Sequence, residues 1–165
     1  VMKTARIAAA AALALTAWGV AAAPAPAETG LFGPSAEEQV KLRQAGMGMV
    51  LTSVSLLRGG SANAASVKNL EFPAQNLANW ARTMPALFGP ATKDVPSRAL
   101  PAVFENQADF AAKAAILADG AQAMADAARA DDAQAFAAAL ASTRASCKGC
   151  HDSYQAPPPP PPKAD

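Results

Sequence analysis

Both cysteines and the only histidine of this 165-residue chain stand together, in the run Cys147-Lys148-Gly149-Cys150-His151. Cysteine and histidine are the main sulfur and nitrogen ligands for metals, so that chemistry is concentrated in five residues. C-x-x-C-H is the attachment signature of a c-type haem. Two thiols can form thioethers with the haem vinyl groups, and the adjacent imidazole can bind the iron. On a helix, positions 147, 150 and 151 are i, i+3 and i+4 and leave from one face. One turn can therefore carry both anchors and an axial nitrogen. A structural zinc site takes about four Cys/His ligands, and the chain has three. A thioredoxin-like dithiol sits near a βαβ pattern, and no strand-rich region is found. A haem-free helical protein with a redox dithiol is kept as one alternative.

Composition points to a single helical domain. Hydrophobic residues make up 52% of the chain, enough for a real core, while aromatics are only 5% and β-branched runs are scarce. Alanine, the best helix former, is abundant. Residues 1–27 read as a signal peptide: Lys3 and Arg6 give a positive start, Ile7 to Val20 an apolar stretch, and Ala25-Pro26-Ala27 a cleavage site. The apolar stretch is too short and alanine-rich for a membrane span of about 20 residues. The reading is an exported protein of a Gram-negative periplasm, not an integral membrane protein. Cleavage removes two bases and no acids, so the formal charge of +1 becomes slightly negative. That excludes a nucleic-acid partner on charge grounds. Residues 28–156 form the domain, and residues 157–165, opening with six prolines, a solvated polyproline tail.

Four amphipathic stripes follow along the chain. The first helix begins near Ser35, where Ser35 and Glu38 make a capping box; Val40, Met47, Val50, Val54 and Leu57 line its face, and Gly59-Gly60 stops it. The second carries Val67, Leu70, Ala74, Leu77, Ala81 and Met84. Pro73 lies inside this run, which keeps its phase, so a kink or a late helix start is expected. Pro85 ends it, and a Pro/Gly-rich connection runs to Pro101. Pro101 suits the first turn of a third helix bearing Val103, Gln107, Phe110, Ala114, Leu117, Ala121, Met124 and Ala128. Asp131 or Asp132 caps a fourth, with Phe136, Leu140, Thr143, Cys147, Cys150 and Tyr154. The haem motif continues this last buried stripe and is expected to point inward. The architecture predicted is all-α, an antiparallel four-helix bundle with its haem c near the C-terminus.

This layout resembles the class II c-type cytochromes, the group of cytochrome c′ and its low-spin relatives. Four segments carry the resemblance: Lys41-Leu42-Arg43-Gln44-Ala45-Gly46-Met47, Met84-Pro85-Ala86-Leu87-Phe88-Gly89-Pro90, Ser97-Arg98-Ala99-Leu100-Pro101-Ala102-Val103-Phe104-Glu105, and Ser146-Cys147-Lys148-Gly149-Cys150-His151-Asp152-Ser153-Tyr154. It implies one haem c bound covalently through Cys147 and Cys150, with His151 as proximal iron ligand. It also implies Arg43 and Gln44 near the haem propionates, Tyr154 packed beside the haem, and a possible homodimer. Where the family often has a basic residue after that tyrosine, this chain has Gln155.

Met47 decides between two functions. It lies one turn after Arg43 and occupies the position from which the family addresses the distal side of the iron. A ligating thioether gives a low-spin His/Met haem that exchanges electrons with redox partner proteins by Fe(III)/Fe(II) cycling, which is the first reading. A Met47 that only packs over the iron leaves a five-coordinate, high-spin haem open to NO or CO, the alternative. Gly46 and Gly48 flank it, and the reading is that they let the haem plane approach the helix. No catalytic constellation is seen, so an electron carrier rather than an enzyme is expected.

Overall fold

The computed structural model describes residues 33–63 and 65–160. Five helices follow one another: α1 (Ala36–Asn63), α2 (Glu71–Thr83), α3 (Ala102–Glu105), α4 (Gln107–Ala130) and α5 (Ala133–Tyr154). The long ones, α1, α2, α4 and α5, make the four-helix bundle; α3 is a single turn. Residues 1–27, read as a signal peptide, and 161–165 of the tail lie outside the described residues.

The capping box at the head of α1 forms in both directions. The Ser35 hydroxyl accepts the Glu38 N–H at 3.3 Å, and the Glu38 carboxylate accepts the Ser35 N–H at 2.7 Å. These bonds, chiefly that from the Ser35 backbone, hold the Glu38 carboxyl below its ordinary pKa. The predicted stop at Gly59-Gly60 is not there, for α1 continues to Asn63. A Cβ on Gly60 would lie 2.7 Å from Leu70 Cδ2, so this glycine admits a neighbouring side chain instead of ending a helix.

All six positions of the second stripe are buried. Its first part is a 3₁₀ turn, Lys68–Leu70, and α2 begins at Glu71. Pro73 therefore sits in the first helical turn, where its missing N–H has no intrahelical partner to lose. The third stripe is divided. Val103 is buried in α3, but Asn106 (φ −122°, ψ 47°) breaks the helix and leaves Gln107 exposed at the start of α4. Asparagine favours caps over helix interiors, and the Asn106 carbonyl opens α4 by accepting the Phe110 N–H at 3.0 Å.

Asp131 and Asp132 divide the next turn between them. Asp132 caps α5, accepting the Ala135 N–H at 2.9 Å. Asp131 ends α4 in the left-handed region at φ 60°, a conformation its short polar side chain tolerates. Its carboxylate accepts from Ser66 Oγ and the Val67 N–H, tying the α1–α2 connection to the α4–α5 turn.

The core has two parts. One is alanine-rich, where Ala74, Ala78, Ala121, Ala125 and Ala128 let α2, α4 and α5 pack around Leu77, Met124 and Phe136. The other is built from large side chains, Met84, Val103, Phe110 and Tyr154, with Met47, Trp80 and Phe88 against them. Trp80 corrects the reading of Gly46. A Cβ there would lie 2.0 Å from the Trp80 ring, so the glycine admits an indole from α2, not a haem plane. Gly48 is exposed and nothing comes within 4 Å of its Cβ position. The two glycines should thus respond oppositely. Gly46→Ala should destabilise the protein by roughly 1–3 kcal/mol through overpacking. Gly48→Ala should stabilise it by up to about 1 kcal/mol through helix propensity. Denaturant unfolding of both variants checks this, and equal responses would remove the argument from Trp80.

Candidate functional site

The large-residue half of the core surrounds a cavity of about 380 Å³, within the range of cofactor pockets. Arg43, Gln44 and Met47 line it from α1, Met84 and Phe88 from the end of α2 and beyond, and Val103 and Phe110 from α3 and α4. Cys150, His151 and Tyr154 complete it from α5. Six of the seven residues singled out from sequence therefore share one cavity. The seventh, Cys147, is half-buried outside the wall, its Sγ 3.3 Å from the Thr143 carbonyl oxygen. The motif does not point wholly inward. Positions 147, 150 and 154 continue the buried stripe, while His151 lies a further 100° around the helix and is solvent-exposed, though it still reaches the cavity. No described residue hydrogen-bonds its ring.

Burial pushes both thiols above their ordinary pKa, that of Cys147 offset in part by Arg144 and that of Cys150 by Lys113. They are neutral thiols at pH 7. A reactive redox dithiol needs the opposite shift.

Arg43 is buried, at 4% exposure, and is committed to the cavity wall. Its Nη1 donates to the Leu87 carbonyl at 3.1 Å and to Thr92 Oγ1 at 2.9 Å, and its Nη2 donates to Ser97 Oγ at 3.1 Å. The guanidinium lies 4.3 Å from the centroid of the Phe88 ring, a cation–π contact. Burial lowers its pKa from the ordinary arginine value. An arginine on α1 thus organises the irregular connection between α2 and α3.

Phe88, Phe110 and Tyr154 stack edge to face, with centroids 4.7 and 5.2 Å apart. The hydroxyl of Tyr154 donates to the Asp109 carboxylate on α4, which Lys113 flanks at 3.8 Å. That hydrogen bond, more than burial, pushes the tyrosine up to about 12.

Sequence reasoning did not assign Phe88, Ser97 or Arg98 to the site, and it noted Gln155 only as the position where the family often has a basic residue. Phe88 stood in a quoted segment, but nothing in its spacing marked it as a wall residue. Arg98 and Gln155 are brought in by a pairing between distant segments, which no local period signals.

A sequence profile for cytochrome c′ matches residues 38–155. The chain is also 34% identical, over 151 residues, to the cytochrome c′ of Allochromatium vinosum, spanning 87% of this chain and 97% of that one. It belongs to the cytochrome c′ family. Among solved structures it resembles a cytochrome c′ described by its unusual ligand-controlled dimer dissociation, with TM-score 0.69 and 31% identity over 76% of this chain and 99% of that one. It also resembles the nitric oxide complex of a mutant cytochrome c′ from Alcaligenes xylosoxidans, with TM-score 0.65 and 25% identity over 74% of this chain and 98% of that one. The cofactor of a cytochrome c′ is one covalent haem c. The site fits such a group: a cavity with mainly apolar walls, an imidazole and a thiol in its lining, and a second thiol one turn away.

The chain contains one tyrosine, so its ionisation can be followed alone. Its pKa is raised, so the stabilisation from the Asp109 contact is complete below the unfolded value near 10 and is lost as pH rises through about 12. Ultraviolet difference titration should show only about a tenth of the tyrosine as phenolate at pH 11, and Asp109→Asn should bring the transition down toward 10.

Proposed function

We propose that this member of the cytochrome c′ family is an exported periplasmic protein that binds NO or CO at a single haem. The haem is attached through Cys147 and Cys150 and held on its proximal side by His151, with Met47 above the distal side as an apolar lid. The carrying observation is the cavity that brings Met47 of α1 together with Cys150 and His151 of α5. When bound, the haem supplies an iron that accepts an electron or a small diatomic ligand.

The residues around it do the rest. His151 offers a ring nitrogen from the edge of α5, where exposure leaves the imidazole free to turn toward the iron. The thiols, kept protonated by burial, are available to the attachment machinery and are not spent on redox exchange. That weighs against the dithiol reading. Met47 is half-buried among Met84, Phe88 and Phe110, so its thioether is held in an apolar setting that suits uncharged gases. Arg43 has two N–H groups beyond its three bonds to the connection. These suit a haem carboxylate, and Gln44 lies beside them in the wall. The lid reading is preferred to the first reading, His/Met ligation with electron transfer, because the relatives are cytochromes c′ and one was solved with nitric oxide bound.

Residues 1–27 act as the export signal, and no helix among the described residues is long and apolar enough to cross a membrane. We assign no enzymatic reaction. The deciding measurement is the visible spectrum of the exported protein, oxidised and reduced, with and without CO. A high-spin spectrum that shifts with CO is expected, and Met47→Ala should keep it high-spin. A low-spin spectrum that ignores CO and becomes high-spin in Met47→Ala would establish ligation and electron transfer instead.

The partner most consistent with the surface is a second copy. Leu42, Met49 and Leu56 recur every seven residues on the outer side of α1 and are 49%, 62% and 56% exposed. A similar cytochrome c′ dissociates from a dimer under ligand control. Sedimentation should find a dimer, and Leu42→Glu with Met49→Glu should give monomers with an unchanged haem spectrum.

A further inference from the structure

The chain beyond α5 is not free from its first residue. Ala99 and Gln155 form an isolated antiparallel bridge. On either side of it, the Leu100 N–H donates to the Tyr154 carbonyl at 3.0 Å and the Ala156 N–H to the Arg98 carbonyl at 2.8 Å. The Arg98 side chain closes the same pairing, its Nε and Nη2 both donating to the Ala156 carbonyl, at 2.9 and 2.6 Å. Arg98, Ala99 and Gln155 line the cavity together with His151. The Gln155 N–H in turn donates to the His151 carbonyl, so the clasp lies one helical turn beyond that histidine.

Arg98 has no carboxylate partner among the described residues. A carbonyl oxygen orients a guanidinium but does not neutralise it, because it carries a dipole and no net charge. The fork therefore holds a whole positive charge at the cavity wall. Six prolines follow immediately, Pro157 to Pro162, the first four of them among the described residues. Their fixed φ stiffens the chain on which the accepting carbonyl sits.

We infer that Arg98 is a positioning residue for the haem: it fixes an uncompensated positive charge at the His151 end of the cavity, latched by the backbone at the start of the proline tail, and so raises the reduction potential. The inference rests on the haem reading above. Reduction adds one negative charge at the iron, and a fixed cation at the cavity wall favours the state with that charge; Arg98 is solvent-exposed, so the effect weakens as salt rises.

The test uses the matured holoprotein and the midpoint potential read by optical redox titration at low ionic strength. The wild-type spectrum is taken first; no covalent haem there would sink the functional reading itself, before Arg98 is at issue. Arg98→Gln keeps hydrogen-bond donors and loses the charge. Arg98→Lys keeps the charge and loses the two-pronged geometry. The expected result is a lower potential in Arg98→Gln and one near wild type in Arg98→Lys. Gln155→Arg, added to Arg98→Gln, should recover the potential in part, because position 155 lines the same cavity. An unchanged potential in Arg98→Gln would overturn the inference. So would an equal fall in Arg98→Gln and Arg98→Lys, which would mark the fork as structural support alone. Should Arg98→Gln fail to mature, Gln155→Arg in the wild-type background decides: a rise supports the inference and no change overturns it.

Discussion

The buried guanidinium of Arg43 is what makes a cavity possible at one end of this bundle. Four helices packed along their lengths would close on one another, as they do in the alanine-rich half. At the other end, the wall between α2 and α3 is an irregular connection with three breakers, Pro90, Pro96 and Pro101, and little regular backbone bonding of its own. Arg43 reaches across and supplies fixed donors to Leu87, Thr92 and Ser97, while its flat face covers Phe88. A lysine has one point charge and could not serve three acceptors in different directions while stacking on a ring. Removal of one partner leaves a buried polar group unsatisfied, at a cost of about 1–3 kcal/mol. The wall therefore stands or falls as a unit.

The two halves of the core follow from side-chain size. Alanine contributes little volume, so helices meeting through Ala74, Ala78, Ala121, Ala125 and Ala128 can come close. Phe88, Phe110, Met84 and Tyr154 hold their helices and loops further apart, and their edge-to-face contacts keep the rings from collapsing into the gap. A bundle with one small-residue end and one large-residue end has its pocket decided before any cofactor enters.

What the sequence made legible was what helical period controls. The six buried positions of the second stripe, the inner stripe of α5 and the capping box at Ser35 were all readable from spacing and local chemistry. So was the gathering of Met47, Cys150 and Tyr154, because stripes from different helices meet in the core, whereas His151 came from the C-x-x-C-H motif and Arg43 from the family resemblance. The failures have a common cause. Gly59-Gly60 looked like a stop and Gly46 like a haem approach, yet Gly60 and Gly46 each answer to a side chain on another element, Leu70 and Trp80. A glycine tells that something comes close but not what. Asn106 broke a helix whose apolar pattern ran straight through it, and the exposed His151 fell outside the stripe by one residue's rotation. Arg98 was invisible for the same reason as the glycines, since its role depends on contacts between segments far apart in the chain.

The indole of Trp80 over Gly46 has one more effect. It is a peg in a notch, and it fixes where α1 sits along its own axis. Sliding α1 by one turn would carry it about 5.4 Å and bring Arg43 or Leu51 to the level where Met47 now stands. A smaller slip of one residue would rotate the helix by about 100° and turn Met47 out of the cavity. The choice of which α1 side chain overlooks the site is thus made by a ring on a different helix, remote in sequence from the cysteines and the histidine. Changing the lid of this cavity by evolution or by design leaves two routes: replacing position 47 itself, or moving the peg.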